Sequence, residues 1–143
     1  MEVIPTKNGV VRCSEAHGAN EKAENIAIAT HFAEKYGHEI DLLPRSNVRK
    51  VADVYNKTLG IEQEYKTNMT PTYGAITTEL RKASQQANNI VLHIQSDISE
   101  DLLKRSIRGR VAYKKSIEAV TVLRGGEDKT YTRTQILDKD FAL

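Results

Sequence analysis

Residues 51–67 read VADVYNKTLGIEQEYKT. The first five are apolar and β-branched, 56–60 carry turn chemistry, and 61–67 alternate around Tyr65, so the stretch predicts two strands joined by a tight turn. Side chains alternate along a strand, which puts Glu62, Glu64 and Lys66 on one face and Ile61, Gln63 and Tyr65 on the other. Asp53 lies eleven residues before Glu64 on the strand that the turn lays alongside. If it meets that face, two carboxylates and one ammonium converge.

Such a constellation suits metal-assisted cleavage of a phosphodiester. Asp53 and Glu64 would hold a divalent ion, Mg²⁺ or Mn²⁺, while Lys66 stabilises charge growing on phosphorus or orients the nucleophile. E-x-K alone recurs in many unrelated strands, and a hairpin with a charged solvent face is common. The spacing therefore leaves the structural reading open beside the catalytic one.

The flanking sequence places this hairpin in an α/β context. Upstream, residues 18–37 (GANEKAENIAIATHFAEKYG) predict a helix of about 16 residues with Asn20 as N-cap; Ile28, Ala29, Phe32 and Tyr36 form its apolar stripe, and Gly37 closes it. HEIDLLP then reads as a short strand ending at Pro44. Downstream, Ile76, Leu80, Ala83 and Ala87 recur at helical spacing over 75–87, and NIVLHI (89–94) is a continuous apolar run suited to a doubly covered strand. Ser96 or Asp97 can cap a further helix with Ile98, Leu102, Leu103 and Ile107 buried. After it come the strand IEAVTVL, a Gly125-Gly126 turn and a short hairpin return at 130–132. The predicted order is α-β-β-β-α-β followed by α-β, a mixed sheet with helices on both faces in one domain over 1–143.

Composition narrows the function classes. At 143 residues, 39% apolar and 28% charged, the chain can bury a core without a disulfide or structural metal. The lone Cys13, read as a small strand residue, can form neither an internal bridge nor a cysteine-based zinc site. No run approaches the ~18 apolar residues of a membrane span, and MEVIPTKNGVVRC lacks the layout of a signal peptide, so a soluble chain is expected. With 21 Lys+Arg against 19 Asp+Glu, a net charge of +2 is too small for a histone-like binder. Charge is uneven, however. Lys104, Arg105, Arg108, Arg110, Lys114 and Lys115 occur with no acidic residue among them, a stretch able to face phosphates or to be a solvated helix face.

Element order and residues together resemble the PD-(D/E)xK nuclease superfamily. More narrowly, residues 19–46, the ADVY strand, EYKT, LRKASQQANNIVLHI and ISEDLLKRSIRGRV resemble the C-terminal RNase toxin domain of contact-dependent growth inhibition systems, and similar modules end some phage head-morphogenesis proteins. The resemblance spans residues 14 to 124, about three quarters of the chain. It implies a restriction-endonuclease-like fold, cleavage of nucleic acid with tRNA as the expected substrate, and neutralisation by a cognate immunity protein. Asp53 and Glu64 match the acidic positions, Lys66 the lysine, and Glu24, with Glu21 next, the acidic residue of the first helix. Action in the cytoplasm of a target or host bacterial cell is implied as well, as the C-terminal part of a larger secreted or phage-borne protein. The polar neighbours Gln63 and Tyr65 leave open a noncatalytic nucleic-acid or protein-binding module of the same fold. A DNA endonuclease would use the same residues, since groove shape and 2′-hydroxyl contacts select the substrate.

Candidate backbone contacts are Lys82, Arg105, Arg108 and Arg110, joined by Arg81, Gln85 and Gln86 and by Lys66, Thr67, Asn68, Thr70 and Thr72 on the segment leading into that helix, with Tyr73 or Tyr65 available to stack on an extruded base. Of the four histidines, His38 and His93 read as strand residues, and only His17 or His31 is expected near the acidic site.

Overall fold

The computed structural model describes residues 1–46 and 51–143. Their contacts form two compact units, Met1–Tyr65 and Lys66–Leu143. Among the described residues each is a mixed sheet, with one helix in the first unit and three in the second, the α/β class the sequence predicts.

The first unit begins with an antiparallel pair, β1 (Glu2–Pro5) and β2 (Val10–Cys13). Of this hairpin the sequence reading gave only Cys13 as a strand residue. Helix α1 (Lys22–Tyr36) then carries the chain to β3 (Glu39–Leu42), which runs parallel to β2, with Arg12 opposite Asp41. Asn25, Ile28, Ala29, Phe32 and Ala33 are buried along α1, which includes Ile28, Ala29 and Phe32 of the predicted stripe, whereas Tyr36 is exposed in the last turn. Gly37 ends it in the left-handed region (φ 72°), its N–H bonded to Ala33 O at 2.9 Å. At the other end the cap is Glu21, one residue after the predicted Asn20, with no side-chain cap bond. Strands β4 (Val54–Asn56) and β5 (Ile61–Asn68) complete the order β1-β2-β3-β4-β5, with β3/β4 and β4/β5 antiparallel. The turn between them is held by Asn56, whose side-chain oxygen accepts Leu59 N–H at 3.0 Å and whose carbonyl accepts Gly60 N–H at 2.8 Å.

The second unit takes in the end of β5 and continues with α2 (Tyr73–Ala83), β6 (Asn89–Ile94), α3 (Glu100–Tyr113), β7 (Ala119–Arg124), β8 (Glu127–Thr132) and α4 (Arg133–Leu137). Strands β6 and β7 are parallel across the α3 crossover, while β7 and β8 form an antiparallel hairpin. Its turn is the predicted Gly125-Gly126, both at positive φ (61° and 79°), as a primed hairpin turn requires. The core joins Ile76, Leu80, Ile90, Leu92, Leu103, Ile107, Val111 and Val120. α2 starts two residues earlier than predicted because Thr72 caps it, accepting Ala75 N–H at 3.1 Å, and it gives way at Ser84 to a turn that takes Ala87 N–H onto Ala83 O at 3.1 Å. Neither Ser96 nor Asp97 caps α3. The cap is Ser99, bonded to Leu102 N–H at 3.1 Å, and the Ser96 hydroxyl donates instead to Asn68 Oδ1 at 2.6 Å. α4 is new relative to the sequence reading, although Thr132 and Gln135 form a capping box whose T-x-x-Q spacing announces it. Among the described residues no helix is long and apolar enough to cross a membrane.

Candidate active site

The register of the β4–β5 hairpin pairs Val54 with Gln63 and Tyr55 with Glu62. One step further, Asp53 stands opposite Glu64, the pairing that alternation predicts. The contact runs through the backbone: Asp53 N–H donates to Glu64 Oε1 at 3.0 Å, and Asp53 O accepts Leu43 N–H at 2.7 Å. Asp53 is thus clamped on both sides just before β4, with its own carboxylate half-buried. Glu64 is 1% exposed.

Gln63, Glu64 and Tyr65 are all buried although their side chains alternate, so β5 is covered on both faces at this point. The solvent-facing alternative for the hairpin is therefore corrected for Glu64, while Glu62 does face solvent. Tyr65 as a stacking platform is corrected too: it is 2% exposed, and burial raises its phenol above the ordinary tyrosine range. Its hydroxyl has no hydrogen-bond partner among the described residues.

Glu24 is exposed on α1, and the buried polar residue of that helix is its neighbour Asn25. Asn25 Nδ2 lies 2.9 Å from Nε2 of buried His17, and His17 Nδ1 lies 2.7 Å from Leu43 O. The carbonyl at Nδ1 accepts a ring N–H, and the side-chain amide of Asn25 meets Nε2. His17 therefore supports the residue that clamps Asp53, with both nitrogens engaged. Glu21, four residues before Asn25, shares its side of the helix. His31 packs edge-on against Phe32 (5.0 Å), and His38 Nδ1 meets Asn56 Nδ2 at 3.0 Å.

Lys66 follows Glu64 by two residues on β5 and is half-buried. A second polar cluster lies near it, in which Asn68, expected like Thr70 only as a groove residue, bonds to Glu79 and Ser96, which the sequence reading did not connect with it. Asn68, fully buried, donates to both carboxylate oxygens of Glu79 (3.0 and 3.2 Å) and to Thr70 O (3.0 Å), and accepts from Ser96. Burial pushes the Glu79 carboxyl up, opposed by the Asn68 bond and by the positive charges of Lys66 and Lys82. A glutamate at helical spacing within α2 looks like any solvated residue in sequence; only its bonds from Asn68 and the nearby charge of Lys66 distinguish it.

The basic run of α3 divides. Arg105 Nε pairs with Asp101 at 3.1 Å, one helical turn back, and Arg108 reaches Leu137 O at 3.3 Å. Arg110 lies on another side of the helix, its guanidinium 5.5 Å from the Tyr113 ring centroid. Lys82 and Arg81 are exposed near the end of α2.

Asp53 and Glu64 supply carboxylate oxygens, the hard donors that Mg²⁺ or Mn²⁺ takes, and Mg²⁺ is commonly held by one or two carboxylates with water completing the shell; the bond between the two residues comes from the Asp53 backbone N–H. The donor chemistry thus fits such an ion. Among the described residues no group of three or more His, Cys, Asp or Glu side chains is placed to hold a metal.

No protein-family model and no curated protein sequence matches this chain. In fold it is similar to a solved structure, the CdiA-CT/CdiI toxin and immunity complex from Burkholderia pseudomallei, with a TM-score of 0.61 and 19% identity over 79% of this chain and 85% of that one.

Proposed function

We propose that the chain is a toxin domain of the contact-dependent growth inhibition class, a PD-(D/E)xK-type endoribonuclease that cleaves RNA, with tRNA the favoured substrate. An immunity protein would hold it inactive. It would act in the cytoplasm of a target or host bacterial cell as the C-terminal part of a larger secreted or phage-borne protein. The observation that carries the nuclease reading is the pairing of Asp53 with Glu64 across β4 and β5, with Lys66 next along the same strand. The fold shared with a chain of a toxin and immunity complex supports the toxin and partner readings.

Asp53 and Glu64 would hold a divalent ion, which when bound supplies Lewis-acid polarisation of the scissile phosphate. The backbone clamp on Asp53, from Leu43 and Glu64, holds that residue in register before the substrate arrives. Lys66 would supply an ammonium to the negative charge growing on the phosphate oxygens. Lys82, Arg108 and Arg110 contribute sequence-independent attraction to the backbone.

The burial of Glu64 favours a second reading, a noncatalytic binding module of the same fold. Incubating purified protein with total RNA and with plasmid DNA, with and without Mg²⁺ or Mn²⁺, separates them. Metal-dependent loss of tRNA bands that Asp53→Ala abolishes is the expected result. Cleavage of plasmid alone points to a DNA endonuclease, and no cleavage of either substrate by folded protein leaves the binding module.

A further inference from the structure

The first turn of α2 and the last turn of α3 enclose a cleft of about 370 Å³, lined by Tyr73, Thr77, Gly109, Arg110 and Tyr113. Tyr113 is 80% exposed and Tyr73 46% exposed, an uncommon state for two rings sharing one cleft. A Cβ at position 109 would overlap Tyr73 Oη, so the glycine lets the phenol lie directly on the α3 backbone. Arg110 lies over the Tyr113 ring, its guanidinium carbon 5.5 Å from the centroid, which leaves the other ring face for a base, and its Nε is buried with no hydrogen-bond partner among the described residues. The first turn of α2 has no acidic residue, and Lys114 and Lys115 follow Tyr113 in the chain.

We propose that this cleft binds one unpaired nucleotide of a single-stranded RNA, the base stacked on Tyr113 and Tyr73 and its phosphate held by Arg110. The inference deepens the proposed function and rests on its nucleic-acid part. A ring face accepts any base, so the site is expected to be tolerant of sequence. Paired bases in an A-form helix offer only their edges, so the cleft selects loops, bulges and ends over duplex. A protein anchored on tyrosine and arginine would instead meet them within an apolar patch, whereas Arg110 lines this cleft and Lys114 and Lys115 follow Tyr113 in the chain.

The test is fluorescence anisotropy with labelled uridine and adenosine RNA decamers and a twelve-base-pair RNA duplex, in EDTA to suppress cleavage. Single strands should bind more tightly than duplex. Tyr113→Ala, at a side chain too exposed to support the fold, should weaken single-strand binding roughly tenfold and leave duplex binding unchanged. Arg110→Met should weaken binding and lower the salt slope by about one. Gly109→Ala displaces Tyr73 without altering charge, and should weaken single-strand binding while the melting temperature holds or rises, since alanine favours a helix. Unchanged affinity in Tyr113→Ala and Gly109→Ala, or no single-strand binding by the unmodified protein, overturns the proposal; the first result leaves the cleft to a protein partner and the nuclease reading intact. Single-strand binding lost in Tyr113→Ala by a protein that cuts neither RNA nor DNA upholds the cleft and removes the nuclease.

Discussion

Replacing Tyr65 by phenylalanine should stabilise the protein. The ring is 2% exposed, and its hydroxyl is buried with no partner among the described residues, so folding strips that group of water with no protein bond in return. An unsatisfied buried polar group costs about 1–3 kcal/mol, and phenylalanine keeps the ring volume, so no cavity opposes the gain. We expect roughly 1 kcal/mol, the lower end of that range. For a domain of this size that is about 3 °C in melting temperature, or near 0.5 M in urea midpoint for a slope of ~2 kcal/mol/M. The gain should also depend on pH. Because burial raises the folded-state pKa of Tyr65, the phenol contributes stability that is fully present below the ordinary tyrosine pKa of about 10 and is lost as pH rises through the folded value. Phenylalanine has no such loss, so its advantage should widen above pH 10. Paired urea titrations at pH 7 and pH 10.5, followed by far-ultraviolet dichroism, read both effects. A lower midpoint for Tyr65→Phe at pH 7 would refute the reasoning, because it would mean the hydroxyl is hydrogen-bonded. RNA cleavage should be unaffected, which separates this residue from its neighbours Glu64 and Lys66.

Glu64→Gln keeps an acceptor for Asp53 N–H and should stay within about 1 kcal/mol of the parent, whereas Glu64→Ala strands that amide in a buried position and should lose about 1–3 kcal/mol or more; calorimetry on the pair checks it, and both should lose cleavage. Lys66→Ala should fold and lose cleavage of tRNA by at least a hundredfold, so full activity in a folded variant removes the lysine from the mechanism. The raised Glu79 carboxyl contributes stability below the ordinary glutamate pKa that is lost as pH rises through its folded value. Glu79→Gln should therefore unfold later than the parent at pH 7, with the difference shrinking at pH 4, as a denaturant series at the two pH values will show.

Local pattern determined much of this molecule. The turn residues 56–60 put the strand carrying Asp53 beside the one carrying Glu64, and the antiparallel pairing and the Asp53 N–H bond to Glu64 agree with that adjacency, because a tight turn leaves little freedom in which strands meet. The stripes of α1, α2 and α3, the Gly37 cap and the Gly125-Gly126 turn were legible for the same reason: each depends on residues a few positions apart. What tertiary structure decided is where competing polar groups went. Ser96 looks as good a helix cap as Ser99 until Asn68, 28 residues away, takes its hydroxyl. The six basic residues from 104 to 115 read as one surface, but a helix turns about 100° per residue, so Asp101, the Leu137 carbonyl and Tyr113 draw Arg105, Arg108 and Arg110 to different sides. Glu64 acquired its buried setting, and Glu79 its half-buried one, from elements that no local window contains. A side chain's solvation and hydrogen-bond partners are properties of the packed chain, and residue type and spacing alone do not encode them.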